Sequence, residues 1–340
     1  MRTTLKDLAK KTGFSVSTVS LALSGKESRL SKDTIHIIES AAREMNYRPN
    51  QMALGLLSNK TNIIGIVTSH IDHEFISRVV KGASETAENE KYRLMLCNTN
   101  GCPDKEDDAI NMLLGYNVDG IILISANGEK SERLADILEM CNLENVPIVL
   151  IDRAPAIDDT YSVILNQEQG GYLATSHLLS LGHKRIGCIT GEKSADSSWR
   201  RYEGYQRAMD EFGVDIDPKL VIEGRYLEDC GYDLAKPLIK NGATAIFAFN
   251  DLIAYGVYRY IKEINLSVPH DISLIGFDDI FFSSLIDTQL STIRQPVDEV
   301  GQEAVNKLIR IINKENVEYK TTFDSELIVR QSTGEVLLPQ

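Results

Sequence analysis

Cysteine is scarce: Cys97, Cys102, Cys141, Cys188 and Cys230 are the only five in 340 residues, and no two are spaced Cys-x-x-Cys. With an odd, scattered set, neither a disulfide framework nor a zinc site is indicated, and buried reduced thiols are the better reading. No apolar run approaches the ~18 residues of a membrane span, so no membrane partner is expected. The opening MRTTLKDLAKK lacks the apolar stretch of a secretory signal, and a cytoplasmic location is expected. Also missing are G-x-x-x-x-G-K-[ST], G-x-G-x-x-G after a strand, and G-x-S-x-G. Their absence leaves no sequence sign of a nucleotide-phosphate cradle or a nucleophile elbow.

What is present is an ordinary globular composition, 43% hydrophobic and 25% charged, with length for more than one domain. The net charge of -13 is unevenly spread. Residues 1–60 hold ten Lys and Arg against five Asp and Glu, so the rest of the chain carries -18. A basic head on an acidic body fits a head that meets a polyanion.

Residues 1–47 read as three helices, about 5–11, 16–23 and 31–45. Gly13 permits the positive φ of a tight turn, and Ser15 and Ser31 suit N-caps. Two short helices joined by a glycine-containing turn and braced by a third form the helix-turn-helix pattern. In the second helix Val19, Ala22 and Leu23 fall on one face, while Ser17, Ser20 and Leu21 point away. Such a face suits the DNA major groove, with hydroxyls on bases or phosphates and Val16 and Leu21 on thymine methyls. Lys6, Lys10, Lys11, Arg29 and Lys32 would neutralise phosphates. A protein-binding three-helix domain is the competing reading, and the positive charge favours DNA.

Residues 48–60 read as a joint, with a short helix at 51–57 that needs a partner to persist. From Thr61 onward apolar strand-like runs (63–67, 92–97, 120–125, 147–152, 185–190, 221–224, 245–249, 273–277) alternate with helical stretches. That alternation predicts parallel sheets covered on both faces, in two lobes with a ligand cleft at the carboxyl ends of the strands.

The segments TLKDLAKKTGFSVSTVSLALSG and YRPNQMALGL resemble the lactose-repressor (LacI/GalR) family of bacterial transcription regulators. So do, in order, SHLLSLGHKRIGCITG, RRYEGYQRAM, AIFAFNDLIAYGV, DISLIGFDDI, LSTIRQP and ELIVRQSTG. The resemblance covers essentially the whole chain. It implies an α/β protein with a three-helix head (1–48), a hinge helix and linker (49–60) and a two-lobed periplasmic-binding-protein-like body (61–340). The lobes are expected at about 61–161 with 290–321 and 162–289 with 322–340, crossed near 161–163, 288–291 and 320–324.

The resemblance implies a ligand-responsive repressor, most simply of carbohydrate-use genes, and not an enzyme. It would bind a pseudo-palindromic double-stranded operator as a homodimer, without metal or cofactor. Its effector would be a sugar-like small molecule, and a protein corepressor is also within the family's range. The DNA-facing set is Leu5, Ser15, Val16, Ser17, Thr18, Ser20, Leu21, Arg29 and Ser31, with Asn50, Ala53 and the minor-groove wedge Leu56 from the hinge. Leu21 and Leu54 stand where relatives often carry polar residues or Arg, so a known operator's base preference does not transfer. Arg201, Asn250 and Asp278 match the family's main polar ligand contacts, Ser69, Asp152 and Gln295 secondary ones, and Phe75 and Tyr226 its aromatic walls. Carboxylates, amides and a guanidinium beside an aromatic face suit adjacent hydroxyls and C–H groups of a polyol. An α/β enzyme with a fused head competes, but Asp278-Asp279 has no acid/base partner in sequence. His70, Asp72, His73 and Glu74 fit no standard metal spacing. A sugar-binding protein without a DNA role leaves the head unexplained.

Overall fold

The computed structural model describes residues 3–23, 30–47, 60–124, 131–152, 159–192 and 195–336. Arg29 and the hinge residues Asn50, Ala53 and Leu56 lie outside the described residues. The chain divides into two compact units, Met1–Thr61 and Asn62–Gln340.

In the first unit α1 (Leu5–Thr12) opens on a capping box. Thr4 Oγ1 accepts from Asp7 N (3.3 Å) and Thr4 N donates to Asp7 Oδ2 (2.9 Å). It ends on Gly13 at φ 75°, the left-handed cap expected there. Ser15 Oγ accepts from Thr18 N (3.1 Å) at the start of α2 (Val16–Leu23). Ser31 Oγ accepts from Thr34 N (3.2 Å) at the start of α3 (Lys32–Glu44). Leu8, Val19, Ala22, Ile38, Ala41 and Ala42 form the core, so α2 is held by the face expected to be inside.

The second unit is doubly wound. Strands β1 (Ile63–Thr68), β2 (Arg93–Asn98), β3 (Gly120–Ile124), β4 (Ile148–Ile151) and β5 (Ser162–Leu165) form a parallel sheet with the distant β11 (Lys320–Phe323). Its order is β11-β5-β4-β3-β1-β2. Helices α4 (Glu74–Asn89), α5 (Pro103–Gly115), α6 (Ser131–Leu143) and α11 (Val297–Ile312) belong to this lobe. Strands β6 (Ile186–Thr190), β7 (Val221–Glu223), β8 (Ala245–Ala248) and β9 (Ser273–Ile275) form a second parallel sheet, ordered β7-β6-β8-β9. Around it lie α7 (Gln167–Ser180), α8 (Asp196–Glu211), α9 (Glu228–Lys240) and α10 (Asp251–Glu263). An antiparallel pair, β10 (Thr292–Arg294) and β12 (Glu326–Ile328), joins this lobe through bridges from Ile275 to Ser291 and Asp278 to Arg294.

The pairings move the expected lobe boundaries. Ser162–Leu165 belongs to the first sheet, because it pairs with β4 and β11. Residues 290–294 stay with the second lobe, because β10 pairs with β12. The chain therefore passes between lobes near 166, 295–296 and 324–325. Two passages are tied together: Asn166 Nδ2 donates to Asp324 Oδ1 (2.8 Å), and Ser325 N donates to Gln169 Oε1 (3.0 Å).

Within each lobe, helices interlock through paired glycines. A Cβ on Gly171 of α7 would overlap the Arg201 carbonyl, and one on Gly204 of α8 would overlap the Glu168 carbonyl. Gly231 and Gly256 pair in the same way between α9 and α10, as do Gly82 and Gly301 between α4 and α11. The α7–α8 interlock fixes the position of Arg201. Gly204→Ala is expected to force α8 away from α7 and to cost about 1–3 kcal/mol, read as a fall in the thermal midpoint.

Candidate functional site

On the head, the outward face of α2 keeps its apolar side chains in solvent: Val16 is 41% and Leu21 42% exposed. Ser17 is exposed, while Thr18 and Ser20 are half-buried. Ser15 is more committed than the expectation of a DNA contact requires. Its hydroxyl caps α2 and lies 2.8 Å from both Ser17 Oγ and Thr18 Oγ1. Ser31 likewise caps α3, and Leu5 packs partly against the core. Lys6 and Lys10 are exposed, and Lys11 pairs with Glu44 at 2.6 Å.

In the second unit the centre is Arg201, buried at 6% exposure on α8. Its Nε donates to Gln167 Oε1 (2.8 Å), Nη1 donates to the Phe249 carbonyl, and Nη2 lies 3.6 Å from Asp278 Oδ1. The guanidinium lies over Phe277, 3.7 Å from the ring centre, and 5.8 Å from the ring centre of Tyr226. Tyr226 fits there because Gly191 has no Cβ; one would overlap the phenol ring. Gln295, fully buried, donates from Nε2 to Asp278 Oδ1 (2.8 Å). Gln167 Nε2 donates to Gln295 Oε1 (3.1 Å) and to Asp152 Oδ1 (2.9 Å). Asn250 caps α10: Oδ1 accepts from Ile253 N (2.8 Å) while Nδ2 faces the Tyr226 carbonyl at 3.5 Å.

Asp152, Arg201, Asp278 and Gln295 thus meet in one polar network between the lobes, with Tyr226 and Asn250 beside it. Ser69, at the end of β1, is half-buried; its carbonyl accepts from Gly101 N (3.1 Å). Phe75, in the first turn of α4, packs on the first-lobe core. No described bond ties either of them to the network.

Burial pushes the Asp152 and Asp278 carboxyls each up to about 6, against the pull of Arg201. Buried Asp251 rises to about 7, through burial and the charge of Asp278. All three lie above their unfolded values, so the stability they contribute is full below about pH 4. It is lost as pH rises through 6 to 7. Asp152 (φ 56°) and Asp278 (φ 109°) also hold positive φ, a cost that concentrates at functional sites.

Several members were not foreseen from sequence. Gln167 looks like an ordinary helix start, and Phe277 like a strand end. Asp251 looks like a first-turn acid, yet it accepts from Ser283 Oγ (2.5 Å), Thr292 Oγ1 (2.6 Å) and Ile280 N (2.9 Å). It thereby anchors the loop that carries Asp278. Glu74 of α4 reaches across to accept from Phe281 N (3.0 Å).

Residues 4–50 match the model for bacterial regulatory proteins of the lacI family, and residues 175–333 that for a periplasmic binding protein-like domain. The chain is 35% identical to the HTH-type transcriptional regulator DegA of Bacillus subtilis (strain 168), over 98% of this chain and 99% of that one. It is 34% identical to the HTH-type transcriptional repressor PurR of Actinobacillus pleuropneumoniae serotype 3 (strain JL03), over 97% and 98%. Its fold is similar to that of the lac repressor dimer bound to operator and the anti-inducer ONPF. The TM-score is 0.90 at 27% identity, covering 98% of this chain and 100% of that chain.

Proposed function

Because this chain belongs to the lacI family of bacterial regulatory proteins, it is a DNA-binding transcription regulator with a ligand-binding body and not an enzyme, and we propose that it represses carbohydrate-use genes under the control of a sugar-like effector. The observation that carries the effector reading is the network of Asp152, Arg201, Asp278 and Gln295, with Asn250 beside it and Tyr226 as an apolar wall. Carboxylates and amides offer acceptors and donors to neighbouring hydroxyls, and the aromatic face covers C–H groups. Ser69 and Phe75 complete the site from the first lobe.

The proposed DNA contacts are the exposed face of α2, Leu5, the caps Ser15 and Ser31, and Arg29, with Asn50, Ala53 and Leu56 from the hinge. Binding is as a homodimer on a pseudo-palindrome, as in the lac repressor structure described as a dimer on its operator. The exposed run Phe281, Phe282 and Leu285, each 59–65% accessible, supports a second copy as partner. Effector binding shifts lobe closure, and closure changes the spacing of the two hinges. The ligand acts only through its differential affinity for the two states.

The test pairs two measurements on the full chain. Binding to a pseudo-palindromic promoter fragment is expected to fall about 10³–10⁵-fold between 50 and 200 mM salt; a shallow dependence removes the DNA reading. A thermal-shift panel of neutral sugars, sugar phosphates and nucleobases is expected to produce a hit among the sugars, worth about 2.7 kcal/mol at ~100 times its Kd. A nucleobase hit overturns the sugar reading. A protein corepressor in place of a small effector would leave cleft variants without effect on repression.

A further inference from the structure

We propose that Gln167 is the positioning residue of the cleft, its carboxamide holding Asp152 of the first lobe against Arg201 of the second. The inference deepens the effector reading above and rests on it for its biological meaning.

Gln167 is the first residue of α7, directly after the cap Asn166, on the first passage between the lobes. It is 5% exposed, its amide oxygen accepts one bond, and both amide hydrogens are donated. Arg201 Nε–H can only donate, so it must face the amide oxygen (2.8 Å). That leaves the two amide hydrogens for Asp152 Oδ1 (2.9 Å) and Gln295 Oε1 (3.1 Å). Gln295 donates onward to Asp278 Oδ1 (2.8 Å), and Asp278 lies 3.6 Å from Arg201 Nη2. The ring of Gln167, Gln295, Asp278 and Arg201 is closed, and Asp152 is its arm into the other lobe. Only a carboxamide of this length fits. Glutamate would turn an acceptor toward Asp152 and Gln295, methionine would fill the space without donating, and asparagine stops one methylene short.

A ligand entering the cleft therefore meets an Asp152 already oriented by a residue on the hinge itself. Any bond the ligand makes to Asp152 is felt where the lobes pivot.

The link can be tested without a ligand, because Gln167 donates to Asp152 and so favours its charged form. The charged groups acting on Asp152 are Arg201 and Asp196 from α8, and those on Asp278 are Arg201, Asp152 and Glu74. Gln167→Met and Gln167→Glu are made in the full chain, and thermal midpoints are compared with the parent between pH 5 and pH 8. For Q167M the deficit should be about 3 °C wider at pH 8 than at pH 5, because only the ionised Asp152 misses the donor. For Q167E the deficit should be smaller than that of Q167M at pH 5, where a shared proton restores a donor. At pH 8, where two carboxylates adjoin, it should be larger. A space-filling role would give deficits that do not change with pH, and that result overturns the proposal. If Q167M does not fold, Gln167→Asn should show the same widening. Flat deficits alongside a sugar response would remove the positioning role alone. Widening deficits without a sugar response would remove the effector reading alone.

Discussion

Val19→Asp is expected to abolish operator binding, by at least about 100-fold, while leaving the thermal transition of the body in place. Val19 is fully buried in the middle of α2, among Leu8, Ala22 and Ile38. A carboxylate there loses the apolar contact and sits uncompensated in the core, at a cost of several kcal/mol. A unit of this size, Met1–Thr61, has only about 3–9 kcal/mol of stability to lose. The head therefore unfolds, and with it goes the face that carries Ser17, Ser20 and Leu21. The second unit has separate cores, so its melting should move by no more than about 1 °C. Electrophoretic mobility shift and calorimetry on the same preparation check both halves. Tight operator binding by V19D would mean that DNA is held elsewhere.

Arg201→Ala is the counterpart in the body. Arg201 donates to Gln167 and the Phe249 carbonyl and neutralises Asp278, so truncation leaves buried acceptors facing one another. Removing one partner of a buried ion pair costs about 3–5 kcal/mol. The deficit should grow as pH rises from 5 to 8, because Arg201 lowers the proton affinity of both Asp152 and Asp278. Losing a charged hydrogen-bond donor from the cleft should weaken effector binding about 10–150-fold. Calorimetric titration with the sugar identified by the panel reads that loss. Unchanged affinity would move the effector site away from this network, whatever happens to stability.

Much of this arrangement was legible in the residues. Apolar runs such as IIGIV and GIILI, alternating with helical stretches, read as strands buried on both faces, and they are. The family resemblance places Arg201, Asp152, Asp278 and Gln295 at the cleft, and the fold brings them within bonding distance of one another or of Gln167, while Ser69 and Phe75 stay outside that network. What was not legible has a common cause: partner choice at long range. SVIL at 162–165 and TIR at 292–294 are not among the runs that read as strands, being short and paired with distant segments, so the expected lobe boundaries differ from those of the fold. Gln167 is unremarkable at a helix start until Arg201, 34 residues on, turns its amide. Glycines inside helices read as weak points, yet Gly171 and Gly204 are contact points where two backbones meet. The positive φ of Asp278 has no signature in a residue type that more often sits in a turn.

The pairing of β5 with β11, and of α4 with α11, carries a consequence for biosynthesis. The first lobe begins at residue 63 but lacks an edge strand and a covering helix until residues 297–323 emerge. At about 5–20 residues per second, the ribosome takes roughly 8–30 s to travel from β5 to β11. The head is complete long before, and the strands of the second sheet are made within that interval. A nascent chain therefore spends those seconds with the α11-facing side of α4 uncovered. A chaperone that engages this chain during translation should be found on that face.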